Sequence, residues 1–258
     1  MPEPDGSTYV QSFARGLAVI RAFGADTPRL TLSEVARATG MTRASARRFL
    51  LTLETEGYVR AQDGVFELTP HVLELGFSYL SAQSLPEVAQ PHLEALSRAT
   101  EESSSASVLD GGDIVYVARV PIRRIMSVGI TIGTRFPAYA TSMGRVLLAA
   151  LSPAERDTYF AGFAAAPITA RTVTTPEGLA SELDRVAAQG WSLVDGELEH
   201  GLRSVAAPVT RAGAVVAAIN VSLLANSEDA ATQAQRVLPR LLEAASAISS
   251  DLDRTPGR

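Results

Sequence analysis

The chain has 258 residues, 46% of them apolar, with a formal net charge of −5 and no cysteine. It is long enough for two folded units and too apolar to stay disordered, and the missing cysteines exclude disulfides, thiolate metal sites and a cysteine nucleophile together. No apolar run reaches the roughly 18 residues of a membrane span, and the start, MPEPDGSTYVQSF, has no basic stretch leading into an apolar one, so a cytoplasmic protein is expected.

An acidic balance argues against a nucleic-acid partner, but the charge is unevenly placed. Between Ser12 and Arg60 stand eight arginines and four acids, a local surplus of four positive charges. Lysine is absent, so the basic side chains other than histidine are all arginine.

In chain order, residues 1–11 read as a loose tail. Ser12 to Phe23 predicts a helix that packs through Phe13, Ala14, Leu17 and Ile20 and stops at Gly24. Thr31 to Tyr58 predicts two helices joined by a tight turn. Thr31 or Ser33 caps the first, which buries Leu32, Val35 and Ala36; Gly40 ends it, and Thr42 caps the next within two residues. That is the spacing of a helix-turn-helix.

On the second of these helices Ala46, Phe49, Leu50 and Leu53 share one side, while Arg43, Ala44, Arg47 and Arg48 project from the other. No acid occurs between Met41 and Glu54. Three guanidiniums beside the hydroxyls of Thr42 and Ser45 suit phosphate oxygens and guanine edges in a major groove. The alternative is a solvated arginine face, and the turn ahead of the helix favours DNA. Tyr58 to Leu68 alternates about Asp63-Gly64, a strong hairpin signal, so a small wing follows and directs Arg60 at the phosphate backbone. Residues 12–70 therefore predict a winged helix-turn-helix domain.

His71 to Ser84, with Val72, Leu75, Tyr79 and Leu80, predicts a linker helix over 71–85 whose apolar side suits pairing with a second chain. Pro86 to Glu102 is amphipathic, with Val88, Leu93 and Leu96 inward. Then SASVLDGGDIVYVARV gives two β-rich runs about Gly111-Gly112, with alternation at Ile114, Tyr116 and Ala118, and IMSVGITIG gives a further strand. Helices are predicted at Thr141 to Leu151, Pro153 to Phe160 and Pro176 to Gly190, the last packing through Leu179, Leu183 and Val186. Strands follow at Trp191 to Val194, Val205 to Val209 and Val215 to Leu223, and one long helix closes the chain from Glu228 to Leu252. Hairpins with helices on one side make 86–258 an α+β sensing domain.

Several stretches together resemble the IclR family of bacterial transcription regulators. In the first domain they are SFARGLAVIRAFG, TLSEVARATGMTRASARRFLLTLETEGYV and the wing; in the second, FPAYATSMGRVLLA, GWSLVDGELEHGLRSVAAPV and AAINVSL. The resemblance spans Ser12 to Leu252. It implies a winged-helix domain, a linker helix and a GAF-like α/β effector-binding domain, with homodimers pairing through the DNA-binding end and often associating further into homotetramers; a single small winged domain buries too little surface for tight specific binding, so a dimer on an inverted repeat of double-stranded operator DNA is expected. Within the family, RVPIRRIMSVGITIGTRFPAYATSMGRVLLA is most similar to the branch regulating protocatechuate, β-ketoadipate and 4-hydroxybenzoate catabolism. One departure stands out: where many members carry Asp-x-Glu-Glu, this chain has Asp195-Gly196-Glu197-Leu198-Glu199-His200.

The resemblance places effector contacts at Ser142 and Met143, where helix-terminal N–H groups can hold a carboxylate; the bland alternative is a helix merely capped and packed there. Around them the expected pocket takes Met126 and Val128 from a strand, Tyr139 and Thr141 from the turn, and Asp195, Glu197, Leu202 and Ser204 from the 195–204 loop. Arg123, Arg124, Arg135, Arg145 and Arg203 are candidate partners for a ligand carboxylate, although each is individually better explained as a surface or structural ion pair; Arg135, beside Phe136 and Tyr139, is the preferred one. Asp195, Glu197, Glu199 and His200 together have donors for a divalent metal, but no second histidine lies nearby, so a pocket wall is the better reading and no metal or cofactor is expected. His71 and His92 have no spaced partner for catalysis.

The competing function is an enzyme processing a small molecule, with an appended DNA-binding domain. Against it, the chain has no Gly-x-Ser-x-Gly elbow, no phosphate-cradling glycine loop and only three dispersed histidines. An architectural DNA-binding protein would not need a second domain of roughly 170 residues. A ligand-responsive regulator of a catabolic operon, sensing an aromatic or dicarboxylic acid, is the expectation.

Overall fold

The computed structural model describes residues 9–24, 26–76, 85–122 and 129–255. Backbone contacts divide the chain into two units, residues 1–81 and 82–258, and each is described by itself.

The first unit begins with α1 (Gln11–Arg21), followed by β1 (Arg29–Thr31), α2 (Leu32–Thr39) and α3 (Arg43–Thr55), then β2 (Val59–Gln62) and β3 (Val65–Leu68). Helix α2 starts where its cap chemistry dictates. The Thr31 hydroxyl accepts from the Glu34 N–H while the Glu34 carboxylate accepts from the Thr31 N–H at 2.8 Å, a reciprocal capping box. Those bonds hold the Glu34 carboxyl below its ordinary range, so the box contributes above the ordinary value and is lost as pH falls through the lowered one. Gly40, at φ 64°, ends the helix, and the Thr42 hydroxyl accepts from the Ser45 N–H at 3.2 Å to begin α3. The turn between the helices is thus set by three consecutive residues.

Val19, Phe23, Leu30, Val35, Ala36, Ala46, Leu50 and Val59 close the core of this unit. Phe13 does not join it: it is 69% exposed, with Tyr9 and Val10 exposed beside it. The packing stripe of α1 starts only at Ala14, because the helix begins at Gln11 and its first turn extends past the residues that cover the rest. The expected wing is present. Asp63 (φ 53°) and Gly64 (φ 79°) are both left-handed, the two-residue turn that matches strand twist. A strand the sequence did not announce, β1, adds to the wing in the order β1-β3-β2, with the buried Leu30 opposite Phe66. After it, Pro70–Val72 forms a 3-10 turn and 73–76 are helical; the remainder of the expected linker helix lies outside the described residues.

The second unit opens with α4 (Leu85–Thr100) and builds a six-stranded sheet from β4 (Ser103–Asp110), β5 (Asp113–Val120), β6 (Arg135–Pro137), β7 (Ser192–Asp195), β8 (Leu202–Arg211) and β9 (Ala214–Leu224). The order is β6-β5-β4-β9-β8-β7, and each pair is antiparallel. Helices α5 (Ser142–Ala149), α6 (Pro153–Ala161) and α7 (Pro176–Gln189) precede β7, and α8 (Ala230–Arg254) closes the chain.

The helices lie on both faces of this sheet, not one. Val205, Ala207, Val209, Ala217, Ile219 and Val221 pack with α4 and α8, whereas the alternate residues Ala206 and Ala218 pack with α5 and α7. Residues 205–209 and 217–221 are apolar at nearly every position, the pattern of strands covered twice rather than once. The strand expected over 125–133 is also revised. Residues 129–133 are loop and turn, 125–128 lie outside the described residues, and the outer neighbour of β5 is the three-residue β6. No helix among the described residues is long and apolar enough to cross a membrane.

Leu241 of α8 is fully buried in the α4–α8 layer. Leu241→Ala should lower the unfolding free energy by about 2–5 kcal/mol, through lost burial and the cavity left behind. A denaturant titration showing less than about 1 kcal/mol would mean that this layer collapses around the missing side chain.

Candidate functional site

The residues singled out in the sequence gather chiefly at one place in each unit. In the first, α3 presents Arg43, Ala44, Arg47 and Arg48 outward, all exposed, and none of the three guanidiniums pairs with an acid among the described residues. Thr42, which caps this helix, is exposed and Ser45 is half-buried. Arg15 of α1, which sequence reasoning left out, lines a groove of about 480 Å³ with Gly40, Met41, Thr42 and Ser45. Arg60 differs. Strand register sets it opposite Glu67, which takes its Nε at 2.5 Å and also lies 3.7 Å from Arg29, so the wing arginine is part of a shared ion pair rather than a free cation.

In the second unit, Thr141, Ser142, Met143, Leu202 and Ser204 line one small cavity. Tyr116, Ile130, Ala140, Val194, Leu198, Asn220 and Ser222 complete it. The Thr141 side chain caps α5 by accepting from the Gly144 N–H at 3.1 Å, which leaves the first-turn N–H groups of Ser142 and Met143 without an intrahelical acceptor. The Ser142 and Ser204 hydroxyls meet at 2.7 Å, and Asn220 Nδ2 donates to Ser204 at 2.8 Å and Ser222 at 3.3 Å. Asn220 is 3% exposed, yet among the described residues its Oδ1 has no hydrogen-bond partner. A buried amide oxygen left unpaired costs about 1–3 kcal/mol, and here it leaves an acceptor open toward the cavity residues. Burial pushes the Tyr116 phenol up to about 12, keeping it protonated at the cavity edge.

Four expected pocket residues stand elsewhere. Arg135 is exposed and bonds Asp110 at 2.6 Å and Asp113 at 3.3 Å, the partners delivered by the β4–β5 turn; it is already neutralised outside the cavity. Tyr139 is buried with its hydroxyl bonded to both the N–H and carbonyl of Ala166, facing a different hollow. Asp195 accepts from Arg203 at 2.9 Å and Arg171 at 2.5 Å. Glu197 accepts from Arg145 at 2.6 Å and from the Val173 N–H at 2.9 Å. Asp195 and Glu197 are thus both matched to arginines, whereas Glu199 Oε2 is buried without a hydrogen-bond partner among the described residues, where no group of three or more metal-ligating side chains occurs. Met126, Val128, Arg123 and Arg124 lie outside the described residues. Of the other histidines, His71 packs on Tyr58 with ring centres 4.6 Å apart, and His92 meets Asp251 at 2.7 Å.

Arg145 is the anchor of the cavity wall. It is 1% exposed and donates to the Tyr139 carbonyl at 3.0 Å, to Glu197, and lies 3.5 Å from Glu182 of α7. Next to it, Gly144 packs directly on the turn before the helix, where an added Cβ would stand 2.1 Å from the Ala138 carbonyl oxygen.

Residues 12–63 match the family model described as IclR helix-turn-helix domain, and residues 77–250 the model described as Bacterial transcriptional regulator IclR C-terminal. The chain is 42% identical over 244 residues to the Pca regulon regulatory protein of Pseudomonas putida, covering 94% of this chain and 83% of that one. It is 36% identical to the p-hydroxybenzoate hydroxylase transcriptional activator of Acinetobacter baylyi, covering 93% and 91%. A crystal structure of an IclR homolog complexed with 4-hydroxybenzoate, from Microbacterium hydrocarbonoxydans, superposes with a TM-score of 0.84 at 25% identity, covering 95% of this chain and all of that one.

Removing one side of the buried pair tests the anchor. Arg145→Ala should destabilise the second unit by about 3–5 kcal/mol, because it strands the Glu197 carboxylate, whereas Arg145→Met with Glu197→Leu should cost markedly less. Equal losses in the single and double variants, read by denaturant unfolding, would show that the charge pair is not what holds this wall.

Proposed function

The chain belongs to the IclR family of bacterial transcriptional regulators, and on that premise we propose that it controls an operon for the breakdown of aromatic acids, binding its operator through α3 and an aromatic or dicarboxylic acid in the cavity at the head of α5. The matched family and the named relatives are regulators, which favours this reading over an enzyme carrying a DNA-binding domain. The relatives named for a Pca regulon and for p-hydroxybenzoate hydroxylase, and the neighbour holding 4-hydroxybenzoate, support the ligand class.

The observation that carries the effector half is the unpaired Asn220 Oδ1 in a cavity that also contains the free N–H groups of α5. A carboxylate suits the N–H groups and a ligand hydroxyl suits the amide oxygen. Neither Arg135, Asp195 nor Glu197 takes part, since each is held in an ion pair. The cavity measures about 20 Å³, room for one water. A ring enters only if the wall moves, and that movement makes the bound and empty states differ in shape, which regulation requires.

For the DNA half, Thr42, Arg43, Ala44, Ser45, Arg47 and Arg48 form the groove-facing set, with Arg60 as a secondary backbone contact once released from Glu67. The protein acts in the cytoplasm as a homodimer on an inverted repeat, joined through the exposed Tyr9, Val10 and Phe13 and the exposed Leu73 and Leu75; pairs of dimers give a tetramer. A single winged unit buries too little surface for tight specific binding, which is the physical reason for pairing.

Arg47→Ala should weaken operator binding, by about 1–3 kcal/mol concentrated at one base pair if it reads a guanine, or uniformly with a salt slope smaller by about one if it meets phosphate. Footprints of the wild type should show two protected half-sites about one helical turn apart. Unchanged affinity and salt slope would remove α3 from the interface, and one unpaired half-site bound by a monomer would remove the dimer.

Ser142→Trp should fill the cavity. Calorimetry with 4-hydroxybenzoate and protocatechuate on the wild type should reveal saturable binding that shifts operator affinity by a factor corresponding to about 1–3 kcal/mol, without consuming the acid. A folded Ser142→Trp protein that binds the acid as tightly as wild type would place the effector elsewhere.

A further inference from the structure

On the other side of Tyr139 lies a hollow of about 670 Å³, within the usual range for small-molecule sites and far larger than the cavity at Ser142. Its walls are aromatic. Tyr139, Tyr159 and Phe163 pack edge to face or tilted, with ring centres 5.7–5.9 Å apart, and Leu109 and Leu151 add aliphatic surface. These side chains line the hollow, where another ring gains burial and meets aromatic neighbours of the kind that favour edge-to-face packing.

The polar groups are few and of one kind. The lining contains two carboxylates, Asp113 and Glu155, and no cation. Asp113 is shared with Arg135, and Glu155 accepts from the Ser152 N–H and hydroxyl as part of the α6 capping box. An anion would meet no cation in this lining, because the neighbouring Arg135 is already taken by Asp110 and Asp113. The Tyr159 hydroxyl makes no hydrogen bond among the described residues, and burial, with Tyr139 and Asp113 nearby, pushes its phenol up to about 12, so it remains a protonated donor. Gly112 stands at the rim with open space where a side chain would begin.

We propose that this hollow is a second ligand site, separate from the acid-binding cavity, that takes an uncharged phenolic ring stacked among Tyr139, Tyr159 and Phe163 and hydrogen-bonded to the Tyr159 hydroxyl. The ligand class follows from the walls: apolar faces select a ring, the carboxylates disfavour an anion, and a free phenol donor selects a hydroxyl as acceptor. The site does not depend on the effector reading, because it shares no cavity-lining residue with the Ser142 site.

Calorimetry or ligand-observed magnetic resonance with phenol, neutral at pH 7, on the full chain tests it. Wild type should bind phenol saturably. Gly112→Trp, which plugs the rim from an open position, should weaken binding at least about tenfold, and Tyr159→Phe, which keeps the ring, should weaken it roughly threefold to tenfold, the range of one net hydrogen bond. Asn220→Leu, which alters the acid cavity, should leave phenol binding within about twofold. The proposal is overturned if wild type shows no saturable phenol binding, if Tyr159→Phe binds as wild type does, or if Asn220→Leu alone abolishes binding, which would assign the phenol to the acid cavity. The phenylalanine variant keeps the test decisive even if the tryptophan variant does not fold.

Discussion

A guanidinium withdrawn from water must have its donors met, or the cost of burial runs to several kcal/mol. Arg145 is met three ways, and the partners come from separate segments: the Tyr139 carbonyl from the turn before α5, Glu197 from the loop after β7, and Glu182 from α7. One side chain therefore fixes how the head of α5 sits against the strands that carry Ser204 and Asn220. The neighbouring residue adds a steric condition, because only a glycine at 144 lets the helix lie on the Ala138 backbone. The run Thr141-Ser142-Met143-Gly144-Arg145 thus holds a cap, two free N–H groups, a close approach and an anchor in consecutive positions.

How much of this was legible in advance depended on how local the cause was. The helix-turn-helix could be read because Thr31, Gly40 and Thr42 act on their own neighbours, and the wing because Asp63-Gly64 specifies a turn by itself. Ser142 and Met143 are reached through the family resemblance, and Ser204 as the end of the 195–204 loop. Asn220 and Ser222 were missed, although they lie in a quoted segment, since only the pairing of β8 with β9 brings them beside Ser204. Arg135 was misassigned for the same reason: its neutralising acids sit more than twenty residues away, across the β5–β6 pairing. Phe13 looked like core because periodicity identifies a face but not how far along a helix that face is covered.

The two units spend their charge in opposite ways. In the second, acids that looked available for ligand or metal, Asp195 and Glu197, are each matched to arginines, and the polar groups left over in the cavity are neutral amide, hydroxyl and N–H. In the first, the arginines of α3 have no acid partner among the described residues, while Arg29 and Arg60 share Glu67. Unmatched cations are costly only if buried, and these are exposed, where an incoming polyanion gains by releasing its counterions. Neutral dipoles in a closed cavity discriminate by shape and hydrogen-bond pattern instead.

The strand order has a further consequence for solubility. A sheet edge offers unpaired N–H and C=O groups to any passing chain, and long flat edges seed aggregation. Here the longest strands, β8 and β9, at 10 and 11 residues, are interior, while the edges are β6, three residues, and β7, four. The β6 edge also carries an exposed Arg135 and ends in Pro137, which has no N–H to donate. Among the described residues both edges are therefore too short to template a long strand, and copies of this chain that meet through helical and loop surfaces do so without extending the sheet.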